Sequence, residues 1–148
     1  MQLKLKKKEQ RELNEITLPS PQKEGYTFSG WYMDSAKTVP YDSNKLVEGI
    51  NELYAKFDIN KYRITIQQDY DDNYYFDYGS EIKIDAPFIE DYTFAGFYED
   101  EDFTKYFDLS IMPAFDINLY PRFEKNDHFY TLLFHSENES NYPIIKKE

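Results

Sequence analysis

Gly25-Tyr26-Thr27-Phe28-Ser29-Gly30-Trp31-Tyr32-Met33-Asp34 and, sixty-six residues later, Asp91-Tyr92-Thr93-Phe94-Ala95-Gly96-Phe97-Tyr98-Glu99-Asp100 are the two stretches that decide the fold. The same offset carries Leu53-Tyr54-Ala55-Lys56-Phe57 onto Leu119-Tyr120-Pro121-Arg122-Phe123 without a gap. Between these anchors Tyr41-Asp42 falls on Phe107-Asp108, and upstream Pro21 falls on Pro87 and Glu15-Ile16 on Glu81-Ile82. Matches this numerous at one fixed spacing define an internal repeat, and a repeat is read before any single element because it sets the architecture.

The register divides the chain into residues 1–61, repeat 1 without its opening strand; residues 62–127, a complete and acidic repeat 2; and residues 128–148, the start of a third, incomplete repeat. The third start is Tyr130-Thr131-Leu132-Leu133-Phe134, followed by Asn141-Tyr142 in place of Asn73-Tyr74. Such ends are expected of a piece cut from a longer array, or of degenerate caps closing a short one.

Within a repeat the sequence predicts mainly β structure with little helix (α+β at most). Arg63–Gln67 and Tyr130–Phe134 are rich in β-branched and aromatic residues, as strands are. Asp69–Asn73 reads as a turn and Tyr74–Tyr78 as the returning strand. Tyr26–Tyr32 alternates, with Tyr26, Phe28, Gly30 and Tyr32 on one face and Thr27, Ser29 and Trp31 on the other. Glycine is unfavourable inside a strand unless something packs closely over it, so Gly30 and Gly96 each predict an aromatic ring above them. Leu53–Phe57 and Ile117–Phe123 form the last strand, with Leu53, Ala55 and Phe57 inward. Pro121 cannot donate to a ladder, so its strand should sit at an edge or expose this N–H position. Gln2–Asn14 has the composition of a helix, and Ser43–Gly49 has room for a turn or two. The joints Asp58–Lys61 and Glu124–Asp127 are four residues each, too short for free relative motion.

Composition bounds the chemistry. The 148 residues hold no cysteine, which removes disulfides, thiolate metal sites and thiol nucleophiles together. Fifteen Tyr and twelve Phe give large apolar area per residue, which suits modules too small for a broad aliphatic core. No apolar run reaches the length of a membrane span or of a signal-peptide core. The net charge of −11 sits in one place: residues 1–61 carry ten Lys/Arg against nine Asp/Glu, whereas residues 62–127 carry five against sixteen. That sign repels phosphate backbones and anionic lipid, so neither nucleic acid nor membrane insertion is expected.

The stretch Leu18-Pro19-Ser20-Pro21-Gln22-Lys23-Glu24-Gly25-Tyr26-Thr27-Phe28-Ser29-Gly30-Trp31-Tyr32, followed by Leu53-Tyr54-Ala55-Lys56-Phe57, closely resembles the Listeria–Bacteroides repeat, the B-repeat of internalin surface proteins. The resemblance covers Ile16–Phe57 well and Tyr62–Phe123 more loosely. It makes Tyr26, Phe28, Gly30, Trp31, Tyr54 and Phe57, with Tyr92, Phe94, Gly96, Phe97, Tyr120 and Phe123, the structural motif of the two repeats. It implies tandem small β-grasp-like modules in an extracellular, cell-surface protein of bacteria, acting as spacers or receptor-binding units. Two departures stand out: Asp69-Tyr70-Asp71-Asp72-Asn73 replaces the family's Asn-Gly-Gly hairpin, and Phe57 or Phe123 replaces its terminal Trp, a volume-tolerant change.

No group of residues recurs in a way that suggests catalysis, and no cofactor is expected. Asp69, Asp71 and Asn73 start like an EF-hand loop, but Tyr74 stands where the loop needs Gly and Ser80 where it needs Glu. A looser calcium site at Asp69, Asp71 and Asp72, joined by residues 99–102, competes with the plainer reading of solvated acidic loops. His128 and His135 read as ordinary surface or strand histidines. The candidate binding residues are Tyr70, Asp71, Asp72 and Tyr74 of the hairpin and Glu99, Asp100, Glu101 and Asp102 of the following loop. Their acidity and the surplus of Tyr70, Tyr74, Tyr75, Tyr78 and Tyr106 suit a basic or carbohydrate ligand. The opposing reading has these rings cover the second face of a thin module. The expected partners are neighbouring repeats of the same chain, and then a host protein or carbohydrate. Two functions follow: a non-catalytic spacer or stalk, or an adhesion module acting through repeat 2.

Overall fold

The computed structural model describes residues 1–6, 16–68 and 72–135. These residues form seven strands and one short 3-10 turn: β1 (Gln2–Lys6), β2 (Tyr26–Tyr32), β3 (Ile50–Ile59), β4 (Lys61–Ile66), β5 (Asp72–Asp77), β6 (Tyr92–Tyr98) and β7 (Ile117–Lys125), with the turn at Ser43–Lys45. The protein is mainly β, as its alternating aromatic segments predict. One sheet has the order β1-β3-β2 and the other β5-β4-β7-β6.

The chain divides into two compact units. One comprises Met1–Thr65, Asn73–Lys83 and Leu109–Ile117; the other comprises Ile66–Asp72, Ile84–Asp108 and Asn118–Glu148. In the first, Trp31, Leu53 and Ala55 are buried, with Leu3, Leu18, Phe28, Met33, Tyr41 and Phe57 packed against them. The rings of Phe28, Trp31 and Phe57 meet edge to face at about 5.7 Å. Such pairs add to the roughly 1.5–3 kcal/mol that burial of each large side chain contributes. The second unit repeats the motif: Phe94 meets Phe97 at 4.9 Å and Phe123 at 5.8 Å.

Those contacts overturn the strict alternation of Tyr26–Tyr32. Phe28 pairs with Phe57 but Gly30 pairs with Lys56, so one residue is extra and the ladder is bulged between them. A bulge advances the strand by one residue and inverts the phase of everything after it. Trp31 therefore joins Phe28 in the core instead of facing away. The bulge recurs between Phe94 and Gly96, and Gly30 and Gly96 both adopt positive φ, 126° and 118°. A ring does cover Gly96, where an added β-carbon would lie 2.5 Å from Tyr106. At Gly30 the nearest ring atom would be 4.0 Å away, so there the glycine is demanded by the backbone and not by a neighbour.

Three other expectations change. Gln2–Lys6 is a strand and not a helix: it lies antiparallel to β3, Gln2 opposite Tyr54, and a free sheet edge outweighs weak helical propensity. The remainder of that proposed helix lies outside the described residues. Tyr130–Phe134 is not in a strand and its side chains are exposed, because β propensity forms no strand without a partner ladder, and the described residues supply none there. The joint between the repeats shrinks to Asn60, since β3 runs through Ile59 and β4 begins at Lys61. Pro121 is in an interior strand, but it faces no lost bond to β6. Its partner Phe97 directs its carbonyl outward, to the amide of Phe107, so Phe97 and Pro121 exchange no ladder bonds.

Candidate functional site

Asp100 opens the loop after β6, and its carboxylate is already occupied by that loop. It accepts from the Thr104 amide at 2.7 Å, from the Thr104 hydroxyl and from the Lys105 amide at 3.3 Å. Asp34 does the same in repeat 1, accepting from the Thr38 amide at 2.9 Å, the Thr38 hydroxyl at 2.7 Å and the Val39 amide at 2.8 Å. Hydrogen bonding to the charged form holds both carboxyls below the usual carboxylate range; the Val39 amide is the main cause at Asp34 and the Thr104 hydroxyl at Asp100. The clamp folds the strand back on itself. In repeat 1 the Met33 amide donates to Val39 and the Tyr41 amide to Trp31; in repeat 2 the Glu99 amide donates to Lys105 and the Phe107 amide to Phe97.

Glu99 is bound to the Lys105 ammonium, an ion pair that raises the lysine's pKa. Of the four acidic residues in the loop, Glu101 and Asp102 alone show neither role, and both are exposed. In the hairpin, Tyr70 and Asp71 lie outside the described residues, as does Asp69 of the looser calcium site. Asp72 accepts from the Gln68 amide nitrogen at 3.0 Å. Tyr74 is half-buried in β5 and belongs to the first compact unit, whereas Asp72 and residues 99–102 belong to the second. Among the described residues, no three His, Asp or Glu converge in a way that could hold a metal ion.

The surplus tyrosines divide between structure and surface. Tyr78 lies on Gly25, where an added β-carbon would stand 2.1 Å from its ring, and meets Tyr26 edge to face at 6.0 Å. Tyr106 covers Gly96 and meets Tyr98 at 5.4 Å, while Arg122 stacks over the Tyr98 ring and donates to its hydroxyl. Tyr75 stays 63% exposed, and Tyr106, although it covers Gly96, stays 58% exposed. Sequence reading missed the Asp34 and Asp100 clamps, although the signal was present: Asp, then Thr four residues later, at the same register in both repeats.

The Listeria-Bacteroides repeat domain family matches residues 4–56 and again residues 57–121, and the chain belongs to that family. It is 36% identical over 115 residues to Internalin H of Listeria monocytogenes, which covers 74% of this chain and 21% of that protein. Two proteins of Evansella cellulosilytica, named as conjectural membrane proteins and one of them as Gly-rich, are each 33% identical. The matches cover 86% and 90% of this chain but 20% and 16% of theirs. The chain thus spans about a fifth of the length of the curated relatives it matches. No solved structure matches it. Among the described residues no helix is long and apolar enough to cross a membrane.

Proposed function

We propose that this chain is a non-catalytic spacer segment of a bacterial cell-surface protein, carried outside the cell and holding other parts of a longer chain away from the envelope. One observation carries the reading: Glu99 and Asp100, two of the four acidic candidates in the loop after β6, are spent on the module itself. Asp100 clamps its own loop as Asp34 does in the charge-balanced repeat, Glu99 is neutralised by Lys105, and Tyr78 and Tyr106 cover glycines. The likeness to Internalin H and to relatives named as membrane proteins supports the setting.

The test is to place one or two copies of the chain between a surface anchor and a known binding domain on bacterial cells. A spacer extends the range at which the domain is captured through a polymer brush, and cells carrying the repeats alone do not adhere. Capture that ignores copy number, or adhesion by the repeats alone, contradicts the reading.

The second reading is adhesion to a host protein or glycan, favoured by the concentration of acidity in residues 62–127 and by exposed Tyr75. Under it, Glu101→Lys with Asp102→Lys weakens binding and steepens its salt dependence. Asp100 is left intact in that test because its loss would unfold the loop.

A further inference from the structure

Asn60, the single residue between β3 and β4, is a hub. Its amide donates to the Gly25 carbonyl at 2.9 Å, and its carbonyl accepts from the Tyr78 amide at 2.9 Å. Its side-chain oxygen accepts from the Thr27 hydroxyl at 2.6 Å, and Lys61 beside it pairs with Asp77 at 2.8 Å. These bonds bring the end of β5 and Tyr78, which belong to the second family match, onto the Gly25–Tyr26 turn of the first. Gly25 has φ 75° and no side chain, and the Tyr78 ring fills the space a β-carbon would need.

The equivalent turn of repeat 2 has the same hub without the vacancy. The Asn126 amide donates to the Asp91 carbonyl at 2.7 Å, and its side-chain oxygen accepts from the Thr93 hydroxyl at 2.6 Å. Asp91 holds φ 65°, close to that of Gly25, and pairs with His128 at 3.2 Å. The backbone conformation therefore accepts an aspartate; the side chain changes what can lie on the turn.

We propose that the Gly25–Tyr26 turn is a docking site for the ring of Tyr78 in the following repeat, and that this clasp couples the stability of the two repeats. The residue at this position then determines which junctions of an array are clasped: glycine admits the ring and aspartate excludes it.

The test is a double-mutant cycle in the full 148-residue chain, Gly25→Asp, Tyr78→Ala and both together. Urea unfolding is followed by fluorescence of Trp31, the sole tryptophan, which lies in the core of repeat 1. Each single substitution is expected to lower the folding equilibrium constant about fivefold or more, the size of a lost aromatic pair. The double variant is expected to be no less stable than Gly25→Asp alone, because either change already removes the clasp. Asp91→Gly, at the turn on which Tyr78 does not lie, serves as control, and its effect adds to that of Tyr78→Ala without coupling. Full additivity of the two changes, or an unaltered transition in Tyr78→Ala, overturns the proposal. If Gly25→Asp does not fold, recovery of folding on adding Tyr78→Ala supports the clasp, and failure to recover overturns it.

Discussion

Trp31 and Phe97 hold the same position in the two repeats, and one hydrogen bond separates them: the Trp31 indole donates to the Pro19 carbonyl at 2.8 Å. Trp31→Phe keeps the edge-on contact with Phe28 but leaves that carbonyl without its partner. A loss of about 1–2 kcal/mol is expected in denaturant unfolding. Gly30 and Gly96 make a second comparison. Both need positive φ, so alanine at either carries strain of about 1–3 kcal/mol. Gly96→Ala must also displace the Tyr106 ring, so it should be the more destabilising, and Tyr106→Ala should erase the excess; equal effects in both backgrounds would contradict the packing. At this scale the sequence was readable where one residue type has one use, as at Gly96 or in the inward Leu53. It was misleading at Asp100, because a carboxylate bound by its own loop has the same letter as one facing a ligand.

Composition placed the strands of the repeat motif well but misplaced those at Gln2–Lys6 and Tyr130–Phe134, and it read strand faces less well. The Tyr26–Tyr32 boundaries read from the sequence are those of β2, but a bulge is a backbone event, and alternation carries no record of it except the glycine. Knowing that Gly30 demands positive φ would have moved Trp31 inward. β3 and β7 differ at Ala55 and Pro121. The Ala55 amide donates to the Met1 carbonyl at 3.0 Å, so Ala55→Pro is expected to fray the start of β1 and speed amide exchange there. Pro121→Ala should change stability by no more than about 1 kcal/mol, since no β6 bond depends on that donor. The Asp34 and Asp100 loops give a pH prediction. Their folded carboxyls titrate below the unfolded ones, so the stability they contribute is present above the ordinary carboxylate value and is lost as pH falls through the lower folded values. Exchange of the Thr38 and Thr104 amides should rise across that acid window. In Asp34→Asn the Thr38 amide should lose this acid dependence; its persistence would assign the effect to another group.

Over the whole chain, the repeat was legible because two copies of one core pattern were compared with each other. The compact units were not, because the first takes in Asn73–Lys83 and Leu109–Ile117 from the second family match, through backbone bonds such as Asn60 to Tyr78 that side-chain identity does not announce. The charge contrast between residues 1–61 and 62–127 was equally plain, yet its meaning turns on what the acidic groups touch. We propose that the acidic, tyrosine-rich surface of residues 62–127 serves the module and binds no outside ligand. The most direct measurement is binding of the labelled, folded protein to glycan and host-matrix panels at low and high salt. The spacer account predicts silence across the panels at both. Saturable, salt-sensitive binding that maps to residues 62–127 would contradict it and establish adhesion.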